Sequence, residues 1–260
     1  LLVEDVSLNF ISDKNLTLIN SLNANYRGVS ISNGSLSLKR EKQIDIKGKF
    51  NSQFNMSERE INKLFIKSNI RFLDRNKVSA KGSLLHNFTL KINEKFKLVD
   101  YDYEANGDIS ESHIVLKDNF KNSFVEKPIK KISISKTNLK INFNKKNKNL
   151  LMFDGLYSLG ESENKKFKIS HDLNKKNPKY LIDFDLAENI FLEFMNFKSN
   201  YKTKSNIKSE INFLNKNIIF NFIKFTEDKN LIFINDLKLN EKNEIASIYD
   251  IEVQTFNGNE

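Results

Sequence analysis

Tyr101-Asp102-Tyr103-Glu104-Ala105-Asn106-Gly107-Asp108-Ile109 alternates apolar or small side chains with polar ones without a break. Successive side chains of a β-strand point to opposite faces, so this stretch predicts a strand with one apolar and one wetted side. The same period of two recurs along the chain: Val6, Leu8, Phe10; Leu36, Leu38; Ile44, Ile46; Ile132, Ile134; Leu139, Ile141, Phe143; Tyr180, Ile182, Phe184, Leu186; and Tyr249, Ile251, Val253. Lys, Asn, Ser, Asp and Glu stand between them, the pattern of antiparallel strands solvated on one face. The expected fold is mainly β, a long antiparallel meander curled into an open groove or an elongated sandwich, with one or two short helices.

Polar clusters punctuate the runs. Turns are expected at Ser32-Asn33-Gly34-Ser35, Arg40-Glu41-Lys42-Gln43, Lys91–Lys95, Asn144–Asn149 and Asn240–Glu244, because Asn tolerates the left-handed backbone that tight hairpins need. Ser57 and Glu60 form a capping box ahead of Ile61, Leu64 and Phe65, which share one helical face, so residues 57–67 predict a helix. Glu188–Phe197 fits either period and is read as strand. Ile218–Ile223 is apolar on both faces, which predicts a strand covered on both sides by a second layer. The chain is read as one elongated β domain over residues 1–260, with a seam near residues 118–128, where the rhythm breaks around Pro128. It opens at Leu1 in mid-pattern and without a Met, which predicts a segment of a longer polypeptide whose anchor or signal lies elsewhere.

The net charge is +9, yet only five of the 42 basic residues are arginine: Arg27, Arg40, Arg59, Arg71 and Arg75. Abundant Lys, Asn, Ile and Phe point to an A/T-rich genome choosing Lys for outward positions. Base-reading proteins lean on the planar fork of Arg, so no specific nucleic-acid partner is expected. Cysteine is absent, which excludes a disulfide framework, a thiolate metal site and a Cys nucleophile.

Chemistry-bearing motifs are equally sparse. His86, His113 and His171 are far apart, show no metal-ligand spacing and are read as structural histidines. The Gly155–Ser162 stretch fits no nucleotide-binding fingerprint and is read as a turn. Asp100 with Asp102, and Asp183 with Asp185, each share a strand face and are read as outward, solvated carboxylates. No catalytic residue, metal or cofactor is expected, and the chain is not read as an enzyme.

An amphipathic meander must dispose of its apolar face. Left open and curled, it forms a trough suited to acyl chains, which ask for no hydrogen bonds from the wall; closed, it forms a packed core. The positions expected to line such a trough are Leu8, Phe10, Leu36, Leu38, Ile44, Ile46, Tyr101, Tyr103, Ile132, Ile134, Leu139, Ile141, Ile182 and Phe184.

The cadence of Val29–Leu38 with Ile44–Phe50, again at Asp102–Ile109 and again in the hairpins of Ile190–Phe256, resembles that of the AsmA-like superfamily, of the YhdP and TamB type. The resemblance rests on rhythm rather than fixed functional residues, and this chain is richer in Phe and Lys than the family. It implies a repeating β-groove protein of the Gram-negative cell envelope. Such a protein would be periplasmic, anchored in the inner membrane through a segment outside this chain, and would conduct phospholipid between the inner and outer membranes. The rival reading is a ligand-free β-sandwich or solenoid that serves as a surface or adhesin scaffold.

Overall fold

The computed structural model describes residues 3–65, 76–120, 128–146, 149–172, 178–189, 191–192, 197–199, 204–214, 217–242 and 244–256. Strands dominate: β1 (Glu4–Ser12), β2 (Leu16–Tyr26), β3 (Val29–Arg40), β4 (Ile44–Met56), β5 (Lys77–Ile92), β6 (Leu98–Phe120), β7 (Ile129–Asn144), β8 (Leu150–Leu159), β9 (Lys165–Asp172), β10 (Lys179–Asp185), β11 (Phe191–Leu192), β12 (Phe197–Lys198), β13 (Ser205–Leu214), β14 (Asn217–Glu227), β15 (Asn230–Leu239), β16 (Ile245–Ser247) and β17 (Asp250–Gln254). Among the described residues, fifteen of them form one sheet in the order β1 through β10, β13, β14, β15, β16, with β17 also on β15. The path does not close on itself. Every pairing described residue by residue is antiparallel, as the one-faced alternation requires.

The chain divides into two compact units, Leu1–Lys117 with Ile134–Leu151, and Asp118–Ser133 with Met152–Glu260. In the first, the single helix α1 (Glu58–Phe65) follows the capping box: Glu60 Oε2 accepts from Ser57 N and from Ser57 Oγ, both at 2.7 Å. Ile61 is buried beneath it. Residues 66 and 67 of the expected helix, and the side chains of Leu64 and Phe65, lie outside what is described.

Gly155–Ser162, expected as a turn, is strand β8 as far as Leu159 and turns only at Gly160-Glu161. Three further local expectations change. Ser32–Ser35 is not a turn; it lies inside β3, where Asn33 adopts a left-handed φ of 53° and the register with β4 shifts between Ser32 and Ser35. Asn supplies the left-handed conformation as expected, but spends it on a bulge. The reversal between β2 and β3 comes from Arg27-Gly28, with φ of 49° and 80°, closing on the Tyr26–Val29 pair; two successive left-handed residues are what a tight hairpin demands.

The second correction concerns Ile218–Ile223. Ile211 pairs with Phe220 but Glu210 pairs with Phe222, so Asn221 is an extra residue and side-chain parity flips there. Ile218, Phe220, Ile223 and Phe225 thereby share one face although their spacing in sequence is uneven. The bulge decides which side chains share that face; Ile219 and Phe222 point to the other one, where Phe222 stacks on Phe233 at 6.2 Å, so apolar residues do occupy both faces of the run. The third is the Glu188–Phe197 stretch: Phe191–Leu192 pairs with Phe197–Lys198 as a separate two-stranded ribbon, while Ile190 and residues 193–196 lie outside the described residues. Residues 121–127 of the expected seam also lie outside them.

Candidate functional site

Cross-strand partners in an antiparallel sheet project to the same side, so the register fixes what each face is made of. In the first unit one row runs Phe10, Ile19, Leu36, Gly48, Phe88, Tyr103 across six consecutive strands. The adjacent row runs Leu38, Ile46, Leu90, Tyr101, and the next brings Ile44 opposite Ile92 and Ile92 opposite Leu98. The opposite face of the same strands carries Asp45, Lys47 and Lys49 on β4, Lys91, Thr89 and Asn87 on β5, and Asp100, Asp102 and Glu104 on β6. The sheet is therefore two-faced at the level of individual side chains.

The expected lining residues divide accordingly. Phe10, Leu36, Leu38, Ile44, Ile46, Tyr101 and Tyr103 converge on this apolar face. Phe143 stacks on Tyr103 with ring centroids 6.3 Å apart, which brings β7 to the same side; Leu139 and Ile141 share its parity. Leu139 is buried as an ordinary core residue, whereas Leu36, Leu38, Ile44, Ile46, Tyr101, Tyr103 and Ile141 are half-buried. Leu8 and Phe10 on the outermost strand are 40% and 66% exposed. Ile132 and Ile134 are half-buried on β7, one in each unit.

In the second unit the corresponding row is Phe167, Phe184, Ile207, Phe225, Ile232, Val253, and Ile182 stands in the next one between Ile169 and Ser209. Here much of the face is closed. Leu186, Phe225 and Ile232 form a buried cluster with Ile207 and Ile234 against it, and Tyr157 packs edge-on to both Phe167 and Phe184. Phe184 packs against the rings of Tyr157 and Phe167, whereas Ile182 is half-buried.

Polar groups interrupt the apolar face of the first unit: Thr17 and Arg40 in its outer rows, and His86 with Ser52 at its centre. His86 on β5 is buried, stacked on Phe50 at 4.3 Å; one ring nitrogen meets Ser52 Oγ at 2.7 Å and the other Tyr103 Oη at 2.8 Å. With both nitrogens partnered, the neutral ring donates at one and accepts at the other. Burial holds the His86 imidazole below its ordinary value and the Tyr103 phenol above its own, so both are neutral near pH 7. The wall thus carries no charge at its centre. His171 stacks on Tyr180 at 3.8 Å, and His113 pairs with Glu111 at 2.8 Å.

The acidic pairs are used structurally. Asn206 Nδ2 donates to Asp183 Oδ1 at 2.8 Å and to Asp185 Oδ1 at 3.1 Å, while Lys208 pairs with Asp183 at 2.9 Å. Burial pushes the Asp183 carboxyl up, but the Asn206 amide and Lys208 ammonium outweigh it and hold the group below its ordinary value. Asp100 and Asp102 face Lys91 and Thr89 across β5 and β6. Among the described residues no group of three or more metal-ligating side chains gathers, and no helix is long and apolar enough to cross a membrane.

Ile19, Phe88, Leu90, Ile92 and Leu98 share the apolar face of the first unit but are not among the expected lining residues. Leu84, His86, Phe88, Leu90 and Ile92 do alternate, but the imidazole in the series hides the period; knowing that a histidine can be satisfied inside an apolar face would have recovered it. No protein-family model, curated protein or solved structure matches this chain.

Proposed function

We propose that the apolar face of the first unit is the wall of a groove that holds phospholipid acyl chains, and that the chain is a segment of a lipid-conducting envelope protein of the AsmA-like type. The observation that carries this reading is the row from Phe10 to Tyr103, apolar or glycine at all six strands, with its large members left half-buried or exposed rather than closed under a second layer. A half-exposed aliphatic or aromatic side chain forgoes roughly 1 kcal/mol of burial, and several in a row forgo enough to favour an apolar occupant. Acyl chains match the wall chemically, because the polar groups on it are bonded within the protein: His86 to Ser52 and Tyr103, and Arg40 to Thr17. A periplasmic location, an inner-membrane anchor outside this chain and movement of lipid between inner and outer membranes follow from the cadence it shares with that superfamily. No reaction is assigned.

A ligand-free scaffold is the second reading, and the closed cluster of Leu186, Phe225 and Ile232 favours it for the other unit. Native mass spectrometry with lipid extraction, on chain purified without detergent, separates the two. Bound phospholipid supports the groove; a homogeneous lipid-free particle from a lipid-replete source supports the scaffold.

A further inference from the structure

In an antiparallel meander the connections alternate between the two ends of the strands. In the first unit the Asp13–Asn15, Glu41–Gln43 and Asn93–Lys97 turns and Lys145-Lys146 therefore all fall at one end. Backbone bonds draw them together in pairs: Arg40 N donates to Asn15 O at 2.7 Å, and Lys145 N donates to Tyr101 O at 3.2 Å. This end carries Lys14, Lys39, Arg40, Lys42, Lys95, Lys97, Lys145 and Lys146, all exposed, against Asp13, Glu41, Asp45 and Glu94; of the bases, Lys145 Nζ donates to Val99 O. Two of those carboxylates are already occupied. Asp13 accepts from the backbone N–H of Asn15 and Leu16, and Glu41 pairs with Lys39 at 2.7 Å. At the described opposite end of the unit, acids and bases are nearer balance: Arg27, Arg59 and Lys77 against Glu58 and Glu60.

The same end displays apolar side chains to water. Phe96 is 81% exposed, between Lys95 and Lys97, with Leu98 and Ile11 also open. Its backbone is held at a φ of 55°, a conformation a bulky residue adopts only under constraint. The constraint is visible: Asn93 Oδ1 accepts from Lys95 N and Lys97 N at 3.0 Å each, Asn93 O accepts from Phe96 N at 2.9 Å, and Asn93 N donates to Lys97 O at 3.0 Å. A hairpin that needed only to turn would carry Asn or Gly at this position. Here a strained position instead holds a phenyl ring in water, flanked by two ammonium groups.

We infer that this basic end, with Phe96 at its tip, docks on an anionic phospholipid surface. The lysines meet headgroup phosphates and the ring enters the headgroup boundary, the pairing of basic residues with an aromatic that interfacial anchors use. Its tip, Lys95-Phe96-Lys97, lies in a turn outside the rows of the apolar face, so docking by the tip does not need that face, and it stands whether or not that face holds lipid.

The test is co-sedimentation of the whole chain with vesicles of phosphatidylcholine alone, or with about one third phosphatidylglycerol. The chain is expected to bind the anionic vesicles, weakly or not at all the neutral ones, and to be released by salt. Phe96→Asn relieves the backbone strain, so it does not unfold the hairpin, and is expected to weaken partitioning about tenfold. Lys95→Ser with Lys97→Ser is expected to lower it about fivefold per lysine. Release of a preloaded fluorescent fatty acid, followed on the same variants, reports on the groove separately and is expected not to change. Equal binding to both vesicle types, no binding to either, or full binding by Phe96→Asn would overturn the inference. Salt-sensitive capture by heparin as tight as by the vesicles, and insensitive to Phe96, would overturn it in favour of a general polyanion surface.

Discussion

The ring of Phe88 lies against the backbone of Gly48 so closely that a Cβ added to the glycine would stand 2.2 Å from Phe88 Cζ and 2.4 Å from Cε1. The two residues are cross-strand partners at the middle of the six-strand apolar row, and the missing side chain of one makes room for the large side chain of the other.

Gly48→Ala therefore has to displace the ring, and is expected to lower stability by about 1–3 kcal/mol. Shrinking Phe88 to Ala in the same chain removes the clash. Urea midpoints of the two single variants and the double variant form a cycle, and the double is expected to be markedly more stable than the sum of the singles implies. Additive effects would mean that the ring does not rest on this glycine.

His86 sets an acid limit on the first unit. Burial keeps its folded-state affinity for protons below the ordinary value of 6.5, so as pH falls past that point the unfolded chain takes up the proton first. Stability contributed by the neutral ring is complete above about pH 6.5 and declines below it, levelling only once the folded imidazole also protonates. His171, lowered chiefly by its own burial, adds to the same slope. Imidazole titration by NMR is expected to place the His86 midpoint below 6.5. A midpoint above it would contradict the buried Ser52–His86–Tyr103 network.

Tyr157 tests the packed row of the second unit. Its hydroxyl donates to Asp185 O at 2.8 Å, and burial pushes the phenol up to about 12. Ultraviolet titration should show a late ionisation step, and Tyr157→Phe should remove it at a cost of about 1 kcal/mol. If every tyrosine of the folded chain ionises together, the row is open to water.

Deleting Asn221 should be far more damaging than replacing it. The deletion removes the bulge, so that Ile218 and Phe220 rotate to the other face while Ile223 and Phe225 stay inside, which costs several buried apolar side chains at once. Asn221→Ser keeps the extra residue and loses only the side-chain bonds to Glu210 and Asn212. Thermal melts by circular dichroism are expected to show the deletion unfolded or far less stable and the substitution mildly affected; equal melts would mean that the register is not set there.

Asn221 also marks the boundary of what alternation can reveal. Tyr101 through Ile109 announces its strand because polarity and geometry keep the same period, and the capping box of Ser57 and Glu60 announces α1 because the bonding groups are adjacent in sequence. A bulge shifts the period by one residue, so the run Ile218–Ile223 does not show that Ile218, Phe220 and Ile223 share one face while Ile219 and Phe222 share the other. Asn33 shows the converse: left-handed propensity alone does not distinguish a turn from a bulge, and Arg27-Gly28, with one Gly and no Asn, makes the turn instead. The apolar face is legible where it is aliphatic, as at Leu36, Leu38, Ile44 and Ile46. Phe88 and Leu90 were obscured by the neighbouring His86, whose partners, Ser52 and Tyr103, are 34 and 17 residues away and known only from the register.

The apolar face as an acyl-chain wall is tested most directly by photocrosslinking from inside it. Benzoylphenylalanine is introduced at Ile46, on the apolar face, and separately at its neighbour Lys47, which points to the polar side, and each chain is irradiated in cells grown on radiolabelled phosphate. Phospholipid adducts at position 46 and none at position 47 are the predicted result. Equal labelling at both positions, or none at position 46 in a folded chain, would contradict a lipid-holding groove.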